Sequence, residues 1–153
     1  MQAEKITKTD IEILSIRRED VKEFWPLVHF MVAEALNYSG GFATAADIRE
    51  DCISGHMQLF VAYGKEFEDE GNKVYAIAIT RVTQLPNKKQ LEGIICTGHR
   101  RELWQKPMAE MMELFAKQSD CDRISMLMRP GWKKIMEQFG WTMKHVEMQK
   151  ELN

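Results

Sequence analysis

A few residues in this chain have the types and spacing to do chemistry, and most of them fall between positions 92 and 104. Glu92 stands beside Gly93 in an apolar stretch, Leu91-Glu92-Gly93-Ile94-Ile95-Cys96. A carboxylate held there could serve as a general base, or could simply pair across a sheet. Thr97-Gly98-His99-Arg100-Arg101 follows, a glycine turn with two guanidiniums that could hold an anion through Arg100 or Arg101. Trp104 comes three residues later and has two readings. It folds back onto the next helix as a staple, or it stands out as an anchor for a protein partner, since Trp and Arg are favoured at interface hot spots.

His99 and His145 are of a type that titrates near neutrality, but neither has a partner visible in the sequence. His29 falls in an apolar helical pattern and reads as a half-buried, hydrogen-bonded residue, and His56 follows Gly55 in a loop. Cys52, Cys96 and Cys121 are odd in number and widely spaced, which suggests neither a disulfide framework nor a zinc site, and no metal is expected. No Ser/His/Asp or Cys/His arrangement, P-loop or dinucleotide fingerprint is present.

The elements that must position these residues follow from periodicity. Residues 1–10 read as a polar arm, with a single domain over 11–153. Ile11–Ile16 is a first strand. Asp20–Leu36 is an amphipathic helix, with Val21, Trp25, Val28 and Val32 on one stripe, in which Pro26 predicts a kink or a later start near Phe24. Asn37–Gly41 is a loop. Thr44-Ala45-Ala46-Asp47 resembles a capping box and opens a helix through Ile53, stopped near Gly55.

Met57–Tyr63 and Val74–Gln84 form a hairpin around the acidic turn Gly64–Lys73. In the second of these strands, Tyr75, Ile77 and Ile79 are expected on one face. Ala76, Ala78 and Thr80 take the other, and such small residues imply that something packs closely there. Gln90–Thr97 is the next strand, and Pro107 fits the first turn of a helix carrying Met108, Met111, Met112 and Phe115. Ile124, Met126 and Met128 alternate along a mostly buried strand. Arg129-Pro130-Gly131 breaks it, and Trp132, Ile135, Met136 and Phe139 recur at helical spacing. Gly140 suits a left-handed stop, and Trp141–Gln149 is a final strand.

The order is β α α β β β α β α β, an α/β fold with a mixed sheet of about six strands and helices on both faces. The 153 residues suffice for one full core, and 44% hydrophobic with 29% charged residues is ordinary for a globular protein. A net charge of −2 presents no basic field for nucleic acid. No apolar run reaches membrane-spanning length and the start is not a signal peptide, so the chain is expected in the cytoplasm.

The stretch from Cys121 to Trp141, with Arg129-Pro130-Gly131-Trp132 and the ending Gly140-Trp141, resembles the C-terminal half of GCN5-related N-acetyltransferases (GNAT). It is similar in particular to GNAT-like proteins that tailed bacteriophages encode near their virion genes. The element order matches the family too. The resemblance implies a cofactor turn after the fourth strand, with the pattern Arg/Gln-x-x-Gly-x-Gly/Ala, for the pyrophosphate of acetyl-CoA.

Here that turn falls on Thr97, Gly98, Arg100 and Arg101, with a single glycine and with Leu103 and Trp104 where glycines are expected. The family's acid, a tyrosine four residues before the Gly-aromatic pair, falls on Met136, and its Asn after the fifth strand is replaced by Arg129-Pro130. Glu92 lies where some members place a base. The resemblance thus implies a fold retained with a degenerate acetyl-CoA site, in a virion-associated structural or binding protein with phage or host protein partners. It would reside in the host cytoplasm or in the particle. The alternative is an active N-acyltransferase using acetyl-CoA and an amine.

Overall fold

The computed structural model describes residues 11–38, 41–64 and 73–153. The arm 1–10, two residues of the 37–41 loop and the acidic turn at 65–72 lie outside them. The chain forms β1 (Ile11–Ile16), α1 (Arg18–Leu36), α2 (Ala45–Ser54), β2 (Gln58–Gly64), β3 (Val74–Gln84), β4 (Lys89–Gly98), α3 (Arg101–Gln118), β5 (Arg123–Met126), a 3₁₀ turn (Pro130–Trp132) and α4 (Lys133–Gln138). The strands make one sheet in the order β1-β2-β3-β4-β5. Its first three pairings are antiparallel and β4–β5 is parallel. The mixed α/β architecture is as the periodicity predicts, with one strand fewer.

Two apolar cores flank this sheet. On one face α1 and α2 bring Val21, Trp25, Val28, Val32, Ile48 and Cys52 onto Leu59, Val61, Ile77 and Ile79. On the other, α3 brings Leu103, Trp104, Met108, Met112 and Ala116 onto Phe60, Ala62, Ala76, Ala78 and Leu91. The small residues Ala76 and Ala78 therefore do face a closely packed helix. Tyr75 shares their core, not that of Ile77 and Ile79. The β2–β3 register shifts between Ala62 and Tyr63, so Val74 pairs with Tyr63 and Ala76 with Ala62, leaving Tyr75 as the extra residue.

The α2 capping box forms as its sequence requires. Thr44 Oγ1 accepts from Asp47 N at 3.1 Å, and Thr44 N donates to Asp47 Oδ2 at 3.1 Å. Gly55 closes the helix at φ +87°. Helix α1 runs through Pro26 from Arg18, which overturns the later start near Phe24.

Three expectations are corrected. Helix α3 begins at Arg101, and Pro107 lies inside it. A proline interior to a helix forfeits one hydrogen bond and costs ~3 kcal/mol. Here the extra turn carries Leu103 and Trp104 onto the stripe that continues through Met108, Met112 and Ala116, and their burial offsets that cost. Second, β5 spans only Arg123–Met126 and is alternately exposed and half-buried, one face turned to the core and the other to solvent, and among the described residues no strand pairs with its outer edge. Third, residues 141–149 form no strand and lie outside the sheet. Trp132 correspondingly is half-buried rather than a core residue.

Candidate functional site

β4 and β5 are joined at one end and parted at the other. At the joined end Asp122 N donates to Lys89 O at 2.7 Å, and Lys89 N donates to Asp122 Oδ2 at 2.9 Å. Arg123 Nε adds a bond to Gln90 Oε1 at 2.8 Å. Pairing then runs from Gln90↔Arg123 to Gly93↔Met126 and stops. β4 continues to Gly98, where β3 is its sole flanking strand among the described residues. At the parting point the β3–β4 register shifts, so Ile79 pairs with Ile95 and Thr80 with Gly93, leaving Ile94 as a bulge. A bulge bends its strand and sharpens the local twist. Gly93 permits the last contact, since a Cβ there would lie 2.8 Å from Met126 Sδ.

Residues 94–98 thus present an open strand edge, five residues or about 17 Å long at ~3.3 Å per residue. Such an edge offers a row of backbone N–H and C=O groups to an extended ligand. It leads to Gly98, whose absent side chain is a steric requirement: a Cβ would lie 2.3 Å from Tyr75 O and 2.5 Å from Ala76 Cβ. His99 then turns back, its N–H donating to Tyr75 O at 2.9 Å and its ring lying 4.9 Å from the Tyr75 ring. Arg100 takes the left-handed conformation at φ +55°, an uncommon choice for a side chain of this size, and α3 starts at once.

This places Thr97, Gly98, Arg100 and Arg101 together where the open edge meets a helix N-terminus. No side chain caps the helix from Arg100. The N–H groups at the positive end of the helix attract anionic groups, the chain's own or a ligand's. Arg100 Nε donates to Glu102 Oε1 at 3.0 Å, and the Arg101 guanidinium lies 4.8 Å over the Trp132 ring. The Glu102 carboxyl is held below the usual range by its own backbone N–H and then by Arg100. A native carboxylate thus sits at the position that favours an anion.

Leu103 and Trp104, the bulky pair in place of glycines, do not obstruct this turn. They are 4% and 2% exposed and belong to the core under α3. Trp104 Nε1 donates to His99 O at 2.8 Å and so ties the first turn of α3 to the end of β4. The staple reading describes this indole, and a buried ring is not the exposed partner anchor that the sequence left open.

Glu92 lies one residue before the strands part. Burial alone would raise its carboxyl, but hydrogen bonds from Arg81, Gln90 and Thr83 outweigh that and hold it low. Arg81 Nη2 approaches Glu92 Oε2 at 2.8 Å and Gln90 Nε2 approaches Oε1 at 3.0 Å. Oε2 is engaged in a cross-strand ion pair and Oε1 in a hydrogen bond along its own strand, which suits sheet pairing better than proton abstraction. Burial pushes the thiols of Cys52 and Cys96 up to about 12, so neither is a ready nucleophile. His29 is exposed yet accepts from Trp25 Nε1 at 3.3 Å, and His56 Nδ1 lies 2.6 Å from Ser54 Oγ. Among the described residues no group of His, Cys, Asp and Glu could hold a metal ion, and no helix is long and apolar enough to cross a membrane.

Sequence reasoning missed one contact just beyond β5. Arg129, just after β5, stacks its guanidinium 4.0 Å over the ring of Tyr38 at the end of α1. The only signal for it was two exposed residue types suited to such stacking, 91 positions apart in sequence.

No family model matches the chain, and no curated relative matches it. Solved structures do. An aminoglycoside acetyltransferase from an uncultured soil metagenomic sample, in complex with sisomicin, matches with a TM-score of 0.64 at 11% identity, over 95% of this chain and 98% of that one. Glucosamine-6-phosphate N-acetyltransferase from Arabidopsis thaliana matches with a TM-score of 0.64 at 15% identity, over 94% and 99%. A GNAT family acetyltransferase from Staphylococcus aureus matches with a TM-score of 0.60 at 14% identity, over 94% and 99%. The fold is that of the GNAT acetyltransferases.

Proposed function

We propose that this chain binds an acyl-CoA and transfers its acyl group to an amine. One observation carries the reading: the edge of residues 94–98, opened by the Ile94 bulge, ends at an uncapped helix N-terminus flanked by Arg100 and Arg101. An extended ligand with an anionic end suits that pairing of features. The bulky Leu103 and Trp104 do not stand against such a ligand, since both are buried in the core under α3. Acyl-CoA supplies the activated thioester. The chain's own contribution is to align it along β4 and to polarise its carbonyl with a strand N–H, and positioning of this kind accounts for much of the rate in acyl transfer.

Met136 has no proton to give, so no side chain at that position acts as general acid. With Glu92 bound to Arg81, the amine must arrive deprotonated or lose its proton to water. A modest turnover that rises with pH through the amine's own pKa is expected.

A second reading, a phage-encoded protein-binding component of a virion, is supported by the exposed apolar side chains Leu127, Met143, Val146 and Met148 near the C-terminus and by the phage-protein resemblance. The two are separated by the melting temperature with and without millimolar acetyl-CoA, combined with release of free thiol in the presence of an amine panel. A ligand at 100 times its Kd stabilises by about 2.7 kcal/mol, which is several degrees for a domain of this size. A shift with thiol release supports acyl transfer; neither one retires it. Recovery of the protein in purified particles supports the virion reading.

A further inference from the structure

β4 and the chain that follows β5 part company and then meet again. The last pair of their ladder is Gly93↔Met126. Past the end of β4, the Arg101 guanidinium lies 4.8 Å over the Trp132 ring. Residues 94–100 and 127–131 therefore frame a window beside the open edge. Trp132 packs with α3 on one face of the sheet. Arg129, in the middle of the second frame, turns to the end of α1, which belongs to the other face, and stacks its guanidinium 4.0 Å over the Tyr38 ring. Two cation–π contacts thus hold the turn 129–132 across the sheet from face to face.

The charge around this window is one-sided. Residues 94–101 and 127–132 include Arg100, Arg101 and Arg129 and no acid. Of the acids that adjoin these elements in sequence, Glu92 pairs with Arg81, Glu102 with Arg100 and Glu137 with Lys133. Glu34, one turn before Tyr38 on α1, forms no ion pair among the described residues, and neither do Arg101 and Arg129. Arg129 is exposed and Tyr38 is 69% exposed. Among the described residues, Arg129 is thus held in place by a ring but neutralised by no carboxylate. A guanidinium in that state presents its planar fork of N–H donors to a carboxylate or phosphate.

We propose that Arg129 selects the acyl acceptor, an amine that also carries a carboxylate or a phosphate. This rests on the acyl-transfer reading. There the donor's anionic end meets Arg100 and Arg101 where α3 starts, and its thioester lies along 94–98. The acceptor then enters from the α1 side of the window, and Arg129 is the cation that it meets. In the transfer, the amine nitrogen attacks the thioester carbon, a C–N bond forms, the C–S bond breaks, and the sulfur leaves as a thiol with a proton from the amine. The anion on Arg129 takes no part in that exchange; it holds the amine in place. Tyr38 is a positioning residue, since its ring fixes the guanidinium.

The test uses the full chain with acetyl-CoA and four short amines, β-alanine, O-phosphoethanolamine, propylamine and putrescine, and reads thiol release. KM should be lower for the two anionic amines than for the neutral and cationic ones, and the lower of the two tells carboxylate from phosphate. Arg129→Ala should raise KM for the anionic amines about tenfold relative to propylamine, the scale of one hydrogen bond to a charged group, and the effect should fall on KM more than on kcat. Arg129→Lys should keep part of the preference, Tyr38→Phe all of it, and Tyr38→Leu should lose part. Equal KM for anionic and neutral amines would overturn the proposal while leaving acyl transfer standing. So would a preference indifferent to Arg129→Ala, or a rise in KM for acetyl-CoA in its place, which would put Arg129 on the donor. Thiol release with none of the amines would retire the acyl-transfer reading and this inference with it.

Discussion

Trp104 and Trp132 each stand near the start of a helix that follows a strand, and they meet different fates. Trp104 is 2% exposed, packed among Phe60, Ala76 and Met108 and bonded to His99 O. Trp132 is half-buried, with one face under the Arg101 guanidinium. The contrast extends to their regions. From β1 through α3, each helix finds a sheet face that fits it. After Ala116 no residue is buried. The reason is topological. α3 packs against every strand from β1 to β5, whereas α4 spans six residues after a four-residue edge strand, which is too little surface to enclose an aromatic ring. The region that identifies the fold most readily in sequence is the one that the chain by itself covers least.

Trp104→Ala tests the closed side and carries the largest expected effect. It should cost about 3–5 kcal/mol, lowering the melting temperature by roughly 6–20 °C. Gly98→Val comes next, because the added carbons meet backbone at Tyr75 and Ala76; about 1–3 kcal/mol is expected from overpacking, together with loss of any acyl-CoA affinity. Trp132→Ala should cost only about 1 kcal/mol, well below the 3–5 kcal/mol of a fully buried ring. Denaturant titration of the two tryptophan variants side by side would break the comparison if their losses matched.

At the anion turn the expected effects are on binding. Arg100→Ala should weaken acetyl-CoA several-fold, and Glu102→Gln should tighten it several-fold by removing a like charge, both read by calorimetry. Equal and opposite silence from both variants would remove the turn from the site. The smallest effect concerns Glu92. Its pKa is depressed when folded, so its contribution to stability is present above the unfolded value of about 4.3 and is lost as pH falls through the lower folded value. Wild type and Glu92→Gln should therefore differ in melting temperature at pH 7 and converge in strong acid. A gap that persisted there would mean that packing, not charge, holds Arg81 and Gln90 in place.

Much of this was legible beforehand. The capping box at Thr44–Asp47, the glycine stop at Gly55 and the 11-residue β3 depend on neighbours within a few positions, and each formed as its residues require. The start of α3 was not legible, because Pro107 looks like a first turn when only propensity is weighed. What decides otherwise is the burial of Leu103 and Trp104 against sheet residues far back in the chain, from Phe60 to Ala78. The candidate site was half legible. Thr97, Gly98, Arg100 and Arg101 were identifiable by type, whereas the bulge at Ile94 and the parting of β4 from β5 exist only in the register between strands.

The amino-acid sequence by itself determined the alternation of strands and helices and the two apolar helix stripes, because these follow from local periodicity and side-chain chemistry. Only the tertiary structure decided that Glu92 is tied to Arg81, that Trp104 is a buried pin, and that residues 141–149 stay outside the sheet. Those outcomes turn on which distant surfaces meet and on how much of each is left uncovered.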